Sequence, residues 1–201
     1  NGAAAFTAPA GAIDVEFAPD GSFVVDFGSS VTPDLWYAST SATPIPLPGS
    51  AGTTYAVGSN GHVASQSYAT PPTVDRWTVD AKAGVAAHVS YPVASSNFGR
   101  VAMSGKGTLV YGIQSSNDYL TATLSLFRVP LGGQPEDLTS VLGPANKASV
   151  ADINEWGDII VSGFTGNKGW TVLLAGPRSA LTGVVQTTTV ASGRSRAGRV
   201  G

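Results

Sequence analysis

The sequence contains no cysteine, and this absence removes several kinds of chemistry. With no Cys among 201 residues, disulfide bonds, thiolate metal centres and cysteine nucleophiles are all excluded. Charged residues are also scarce, since they make up 12% of the chain against roughly 25% in an average globular domain. A surface with so few charges depends on Ser, Thr, Asn and Gly, a composition that suits β-structure.

The chain also lacks long apolar runs. None approaches the ~18 consecutive apolar residues of a transmembrane helix, so we predict no membrane span. No Asn-X-Ser/Thr acceptor for N-glycosylation occurs. The chain begins at Asn1 without a signal segment. Together with the low charge, this leads us to expect an exported protein, extracellular or periplasmic, whose targeting segment has been removed.

A tight turn that ends in glycine recurs four times. The glycines are Gly21, Gly61, Gly107 and Gly157, spaced by 40, 46 and 50 residues. Periods of roughly 40–45 residues are typical of propeller blades. Asp-Gly or Asn-Gly between two β-rich runs favours a hairpin, because such a turn needs a positive φ.

Strand-like runs flank each glycine turn and make a four-strand unit. The runs before the turns are 13–17, 54–57, 99–103 and 149–153, and the runs after them are 22–27, 62–67, 108–113 and 158–163. A third run carries an aromatic residue, and the fourth runs are 44–47, 85–89, 138–142 and 181–190. Because helical periodicity is almost absent, we predict an all-β, β-propeller-like domain of about four four-stranded blades. A β-sandwich with regularly spaced hairpins is the alternative.

The fourth repeat has a distinctive sequence. It reads Asn-Glu-Trp-Gly-Asp-Ile-Ile-Val-Ser-Gly over residues 154–163, and an aromatic run follows at 169–174. This segment resembles the HAF-type repeats of bacterial exported proteins. The Phe-Ala-Pro-Asp-Gly sequence at 17–21 similarly resembles the Pro-Asp-Gly turn of several propeller families. The resemblance implies a propeller-like architecture and is nearly silent on activity.

The repeats divide the chain into three parts. Residues 1–12 are an N-terminal extension, residues 13–190 are a single repeat domain of four blades, and residues 191–201 are a basic tail. The tail either begins a further strand of a fifth blade or returns to the first blade and closes a ring.

Charge is segregated between the two ends of the array. Residues 1–75 hold six acids and no Lys or Arg, whereas residues 159–201 hold five bases and no acid. Five residues are therefore predicted to act in ring closure or in head-to-tail self-association: Asp14, Glu16, Arg194, Arg196 and Arg199. Chance placement on solvated faces is the alternative. Nucleic acid is not an expected partner, because the chain is net acidic and no aromatic cluster accompanies the arginines.

Motifs for catalysis or cofactor binding are missing from the sequence. His62 and His88 are interpreted as isolated strand residues, and no spacing of histidines and acids indicates a metal site. Asp14 and Glu16 share one strand face, but the Asp-rich loop of a calcium site does not occur. A Ser-His-Asp triad stays open because serines are abundant, although no Gly-X-Ser-X-Gly elbow occurs. With no phosphate loop and no dinucleotide fingerprint, we expect no metal and no cofactor.

Large aromatic residues occupy matching places in the repeats, at Trp36, Trp77, Phe127 and Trp170. We predict that they pack between blades, and stacking on sugar rings is the alternative. Trp156 differs because it lies in a turn, where a large apolar side chain needs a covering surface. Trp156 is therefore the predicted contact with a ligand or partner.

These patterns favour a binding protein over an enzyme. We expect an exported, non-catalytic binding or self-assembly module that presents loops to a glycan, a protein or a neighbouring copy. The alternative is an exported hydrolase or lyase with an active site in the propeller channel. That alternative would use carboxylates such as Asp26 or Asp152 together with His62, and it requires titratable groups that converge with perturbed pKa values.

Overall fold

The described part of the chain is built from four antiparallel β-sheets. The computed structural model describes residues 6–28, 32–50, 52–68, 70–116, 123–142, 147–165, 168–174 and 186–190. Each sheet has four strands, and each uses its strands in sequence order. The predicted all-β class and the four groups of four strands are confirmed.

The strands follow one another as four meanders. Sheet 1 contains β1 (Asp14–Phe17), β2 (Phe23–Asp26), β3 (Leu35–Tyr37) and β4 (Ile45–Pro46). Sheet 2 contains β5 (Gly52–Gly58), β6 (His62–Ser67), β7 (Thr73–Asp80) and β8 (Val85–Pro92). Sheet 3 contains β9 (Phe98–Met103), β10 (Leu109–Gln114), β11 (Leu124–Val129) and β12 (Glu136–Asp137). Sheet 4 contains β13 (Lys147–Ile153), β14 (Ile159–Thr165), β15 (Lys168–Leu174) and β16 (Gln186–Val190).

The four repeat glycines lie in the hairpin turns between the first and second strands of each sheet. Their φ angles are 86° at Gly21, 73° at Gly61, 79° at Gly107 and 86° at Gly157. A side chain is rarely tolerated at such angles, and glycine adopts them without steric cost. The glycine period in the sequence therefore marks one hairpin turn in each sheet.

The repeat turns are also bonded to one another. The backbone N–H of Asn60 donates to Asp20 Oδ2 at 2.7 Å, which joins the turns of sheets 1 and 2. Asn60 Nδ2 donates to the Gly105 carbonyl at 3.4 Å, and Gly105 N donates to Glu155 Oε1 at 2.7 Å. Polar residues beside the repeat glycines therefore connect all four sheets at one end of the fold.

The outer strand of sheet 3 lies before the predicted run. Residues 138–142 were expected to form this strand, but Thr139–Leu142 is a 3-10 helix and β12 is Glu136–Asp137. The carboxylate of Asp137 accepts a hydrogen bond from Thr139 N at 2.8 Å, and such a side-chain bond favours a turn over continued strand. No helix in the described residues is long and apolar enough to cross a membrane.

Three apolar layers fill the spaces between consecutive sheets. Strand β10 shows how they form, because Leu109 and Tyr111 pack toward sheet 2 while Val110 between them packs toward sheet 4. This alternation follows from the two-residue period of a strand. The layer between sheets 1 and 2 includes the fully buried Trp77 and the nearly buried Trp36. Trp36 and Trp77 confirm that aromatics pack in the core between neighbouring repeats, here between sheets 1 and 2, and the side chain of Trp170 lies outside the described residues.

The outward faces of sheets 1 and 4 belong to no apolar layer between sheets in the described part of the chain. The outward face of sheet 1 is covered by the N-terminal segment, whereas residues of sheet 4 are exposed. Phe23 and Val25 of sheet 1 are buried beneath the N-terminal segment, whose Phe6 ring lies 4.8 Å from that of Phe23. On sheet 4, Asp152 and Thr171 are exposed. Closure of the four sheets into a ring stays a prediction.

Candidate functional site at the interface of sheets 1 and 2

An open cleft lies where the hairpin turns of sheets 1 and 2 meet, and we call it the turn cleft. Its volume is about 440 Å³, within the roughly 300–1,000 Å³ of small-molecule sites. Its walls include Asp20, Trp36, Asn60, Val79, Asp80 and Lys82. The turn cleft therefore combines two carboxylates, an amide and an ammonium group with an apolar floor.

Three turns position the polar groups of the turn cleft. Asp20 lies in the β1–β2 turn, where its Oδ1 accepts hydrogen bonds from Ser22 N at 3.0 Å and Ser22 Oγ at 2.7 Å. Asn60 lies in the β5–β6 turn and donates its backbone N–H to Asp20 Oδ2. These donors stabilise the charged carboxylate. Burial alone would raise the pKa of Asp20, but the hydrogen bonds from Ser22 and Asn60 outweigh it and lower the pKa below the usual 3.8.

Asp80 forms the opposite wall from the β7–β8 turn. Its Oδ1 accepts hydrogen bonds from Lys82 N at 2.9 Å and Ala83 N at 3.0 Å. This is the local side-chain bonding that makes Asp a favoured turn residue. Asp80 is exposed, so one carboxylate oxygen holds the turn while the group stays open to a ligand.

Trp36 and Val79 supply the apolar part of the turn cleft. Both belong to the layer between sheets 1 and 2. Trp36 Nε1 is buried and has no hydrogen-bond partner among the described residues. An unpaired buried donor costs about 1–3 kcal/mol, and no described group satisfies this one.

A second polar cluster lies at the other end of β2, and we call its three residues, Asp26, Asp34 and Tyr55, the acid end. Asp34 is 1% exposed, and its Oδ1 accepts a hydrogen bond from Phe27 N at 2.9 Å. Its Oδ2 accepts a hydrogen bond from the Tyr55 hydroxyl of sheet 2. The backbone N–H of Asp34 donates to Ser50 Oγ at 2.8 Å. The acid end therefore joins sheet 1 to sheet 2 through the hydrogen bond from Tyr55 to Asp34.

The electrostatics of the acid end are opposite to those of the turn cleft. Burial and the neighbouring Asp34 carboxyl raise the pKa of Asp26, although a hydrogen bond from Gly28 N at 2.6 Å opposes the shift. Burial, together with the bond to Asp34, also raises the pKa of the Tyr55 hydroxyl. The environment of the acid end therefore favours protonated forms of Asp26 and Tyr55.

Asp75, His88 and Ser90 come together on sheet 2. Asp75 Oδ1 lies 3.0 Å from His88 Nε2 and accepts the Ser90 hydroxyl at 2.5 Å. His88 Nε2 also lies 3.3 Å from Ser90 Oγ. One ring nitrogen therefore faces both partners, whereas a catalytic triad uses one nitrogen for Asp and the other for Ser. His88 has a carboxylate partner, so the prediction of an isolated histidine is wrong, and the open possibility of a triad is not realised by these three residues.

Among the residues predicted for partner contact or assembly, Asp14 lies directly opposite Asp26 of the acid end in the pairing of β1 with β2, and its charge also raises the pKa of Asp26. Trp156 is 59% exposed in the fourth turn, and its role stays a prediction. Asp14 and Glu16 are exposed on β1. Their predicted partners lie outside the described residues: Arg194, Arg196 and Arg199.

The groups named for the enzyme alternative have separate environments. Asp26 belongs to the acid end, and Asp152 is exposed on sheet 4. His62 is buried next to Arg76 on sheet 2, and burial followed by the nearby guanidinium lowers its pKa. Each of the three therefore has different neighbours, and the structure does not bring them together into one site.

Sequence reasoning missed Asp34, Tyr55 and Asp80. The Asp80-Ala81-Lys82-Ala83-Gly84 segment is itself a turn signal, because Asp caps the turn and Gly84 has a φ of 69°. In a four-strand meander the first and third turns lie at the same end of the sheet. The turn signal at Asp80 could therefore have placed this residue near the turn that contains Asn60. The contact of Asp34 with Tyr55 spans 21 residues and has no local signal.

Comparisons with known proteins give no family for this chain. No protein-family model matches it, and no curated protein matches it at a level that indicates common ancestry.

Proposed function

We propose that the chain is an exported, non-catalytic binding module that holds a hydroxyl-rich ligand, one or two sugar units of a glycan, in the turn cleft. The observation that carries the proposal is the pairing of exposed carboxylates with an apolar floor. Asp20 and Asp80 accept hydrogen bonds from hydroxyl groups, and the apolar floor, in which Trp36 is 4% and Val79 is 7% exposed, contacts an edge of the sugar ring without stacking on it. Export and the choice of a glycan as ligand come from the sequence-based expectations.

The state of the carboxylates supports binding over acid catalysis in the turn cleft. The lowered pKa of Asp20 keeps that group charged near neutral pH, where a charged acceptor forms stronger hydrogen bonds than a neutral one. General acid catalysis would instead need a carboxyl with a raised pKa. Asp26 has such a shift, but it is 4% exposed and has little access to a substrate.

A comparison of two neutral substitutions tests this proposal. Asp80→Asn keeps an oxygen for the turn hydrogen bonds and removes the charge. Because a hydrogen bond to a charged group contributes about 1.5–3 kcal/mol, we expect the dissociation constant for a bound sugar to rise about tenfold or more. Binding would be measured by saturation-transfer NMR and calorimetry with a panel of neutral mono- and disaccharides.

Asp137→Asn is the matched control. Asp137 is also exposed and also accepts a turn hydrogen bond, from Thr139 N at 2.8 Å, but it lies on sheet 3. The control should bind as the unchanged chain does. The proposal is overturned if no neutral sugar of the panel binds, or if Asp80→Asn and Asp137→Asn bind equally well.

A further inference from the structure

The outer strand of sheet 2 is the longest of the described outer strands. Strand β8 has eight residues, whereas β16 has five and β4 and β12 have two each. Strand β4 contains Pro46, and β12 consists of Glu136 and Asp137. Short length, proline and charge are the features that protect a sheet edge from pairing with another chain. Strand β8 has none of the three at its centre.

One face of β8 is exposed and apolar at three positions, whereas the exposed His88 and Ser90 lie on the other face. Val85 is 56% exposed and Val89 is 51% exposed, and Ala87 between them is also exposed. His88 lies on the opposite face, where its ring stacks on Trp77 at 4.9 Å. Within sheet 2, β8 pairs with β7 alone. The second edge of β8 therefore has no partner strand in sheet 2 and carries no Lys, Arg, Asp or Glu, so it offers a template for another strand with Val85, Ala87 and Val89 on one face.

We propose that β8 pairs edge to edge with β8 of a second copy, antiparallel, with the two-fold axis at Ala87. In this register Val85 of each copy lies opposite Val89 of the other, and Ala87 lies opposite itself. Four valines and two alanines then form one apolar cluster across the axis, and cross-strand pairs of this kind stabilise a sheet. A two-fold interface needs a self-complementary surface, and the spacing of Val85, Ala87 and Val89 supplies it.

Charge does not oppose this pairing. The segment Val85–Pro92 contains no Lys, Arg, Asp or Glu, and in the proposed register His88 lies opposite Ala86 of the second copy. The formal net charge of the chain is only −2, so repulsion between copies is small. A single strand edge buries less than the roughly 1,200 Å² of a stable interface, so we expect a weak, concentration-dependent dimer. This pairing is distinct from head-to-tail association and independent of ligand binding in the turn cleft.

The absence of cysteine allows a direct test of the register. In Ala87→Cys the introduced thiol is the only one in the chain. Directly opposed residues of antiparallel strands have Cα atoms about 4.5–5.5 Å apart, which suits a disulfide. We expect mild oxidation to give a covalent dimer of Ala87→Cys. Two controls should give little dimer: Thr40→Cys, which is exposed on sheet 1, and Val85→Cys, whose copies lie about 13 Å apart in this register.

Sedimentation of the unoxidised chain gives a second, independent measurement. Val89→Lys places a charge on the edge and should raise the dimer dissociation constant at least about tenfold. Because the Val89 side chain is half exposed, the unfolding midpoint of the Val89→Lys variant should equal that of the unchanged chain. The proposal is overturned if the unchanged chain is a monomer at every concentration, if Val89→Lys dimerises equally well, or if all three cysteine variants crosslink to the same extent.

Discussion

Asp20 and Asp26 stand on either side of the core of β2, and the pKa values of their carboxyl groups shift in opposite directions. Asp20 receives three hydrogen bonds from Ser22 and Asn60, and its pKa is lowered. Asp26 is 4% exposed beside the carboxyl of Asp34, and its pKa is raised. One short strand therefore separates a carboxylate held in its charged form from a carboxyl that favours its proton.

This difference assigns separate tasks to the two ends of one interface. The turn cleft keeps charged, exposed acceptors over an apolar floor, an arrangement suited to ligand binding. The acid end buries its polar groups in hydrogen bonds between sheets, an arrangement suited to holding sheet 1 against sheet 2. Hydrogen-bond donors and burial, rather than residue type, therefore decide which aspartates are free to bind.

The largest effect on this comparison should come from Asp34→Ala. The substitution leaves the Phe27 N–H and the Tyr55 hydroxyl without their acceptor, and unpaired buried groups cost about 1–3 kcal/mol each. We expect the free energy of unfolding in urea to fall by about 3 kcal/mol. Asp80→Asn in the turn cleft is the contrasting variant and should change it by less than about 0.5 kcal/mol. Equal losses of unfolding free energy in Asp34→Ala and Asp80→Asn would contradict the assignment of a structural role to the acid end alone.

A smaller loss should follow from Tyr55→Phe. The ring and its packing 6.2 Å from Trp77 are kept, and only the hydroxyl bond to Asp34 is removed, so we expect a loss of about 1–2 kcal/mol in urea unfolding. Tyr68→Phe is the control, because Tyr68 is 53% exposed and its hydroxyl can be solvated. An equal response of the two variants would mean that the bond across the sheets contributes little.

The smallest effect should be a pair of opposite pH dependences. The raised pKa of Asp26 contributes stability that is fully present below its unfolded value of 3.8 and is lost as pH rises through the folded value. The lowered pKa of Asp20 contributes stability that is present above 3.8 and is lost as pH falls through the folded value. Urea midpoints measured across acidic to neutral pH should therefore change in opposite ways in Asp26→Asn and Asp20→Asn.

Each neutral variant should remove only its own part of the profile. Asp26→Asn should abolish the loss of stability that occurs as pH rises above 3.8. Asp20→Asn should abolish the loss that occurs as pH falls below 3.8. Profiles that coincide with that of the unchanged chain would contradict the assigned pKa directions.

The features that the sequence predicts correctly are those with local causes. Gly21 and the three equivalent glycines mark hairpin turns because a positive φ is a property of the turn itself. Trp36 and Trp77 are buried because large apolar residues on strands pack between sheets. The outer strand of sheet 3 was misplaced because the side chain of Asp137 bonds to Thr139 and starts a 3-10 helix, a local competition that strand periodicity does not reveal.

The candidate site depends on contacts that the sequence does not encode locally. Asp34 and Tyr55 meet across two sheets, and the Asn60 N–H reaches Asp20 from 40 residues away. Which of several aspartates is charged and exposed follows only after the sheets are packed. Trp156 was selected as a contact from its unusual place in a turn, and its 59% exposure leaves that role to be tested by substitution.

The most direct test is a map of amide chemical-shift changes as a disaccharide that binds is added to the ¹⁵N-labelled chain. We expect the changes to concentrate at the turns of the cleft, at Asn60, Gly61 and Lys82. The amides of Phe27 and Tyr55 at the acid end should stay unchanged. Changes centred on Phe27 and Tyr55, with none at the turns, would contradict the assignment of binding to the turn cleft.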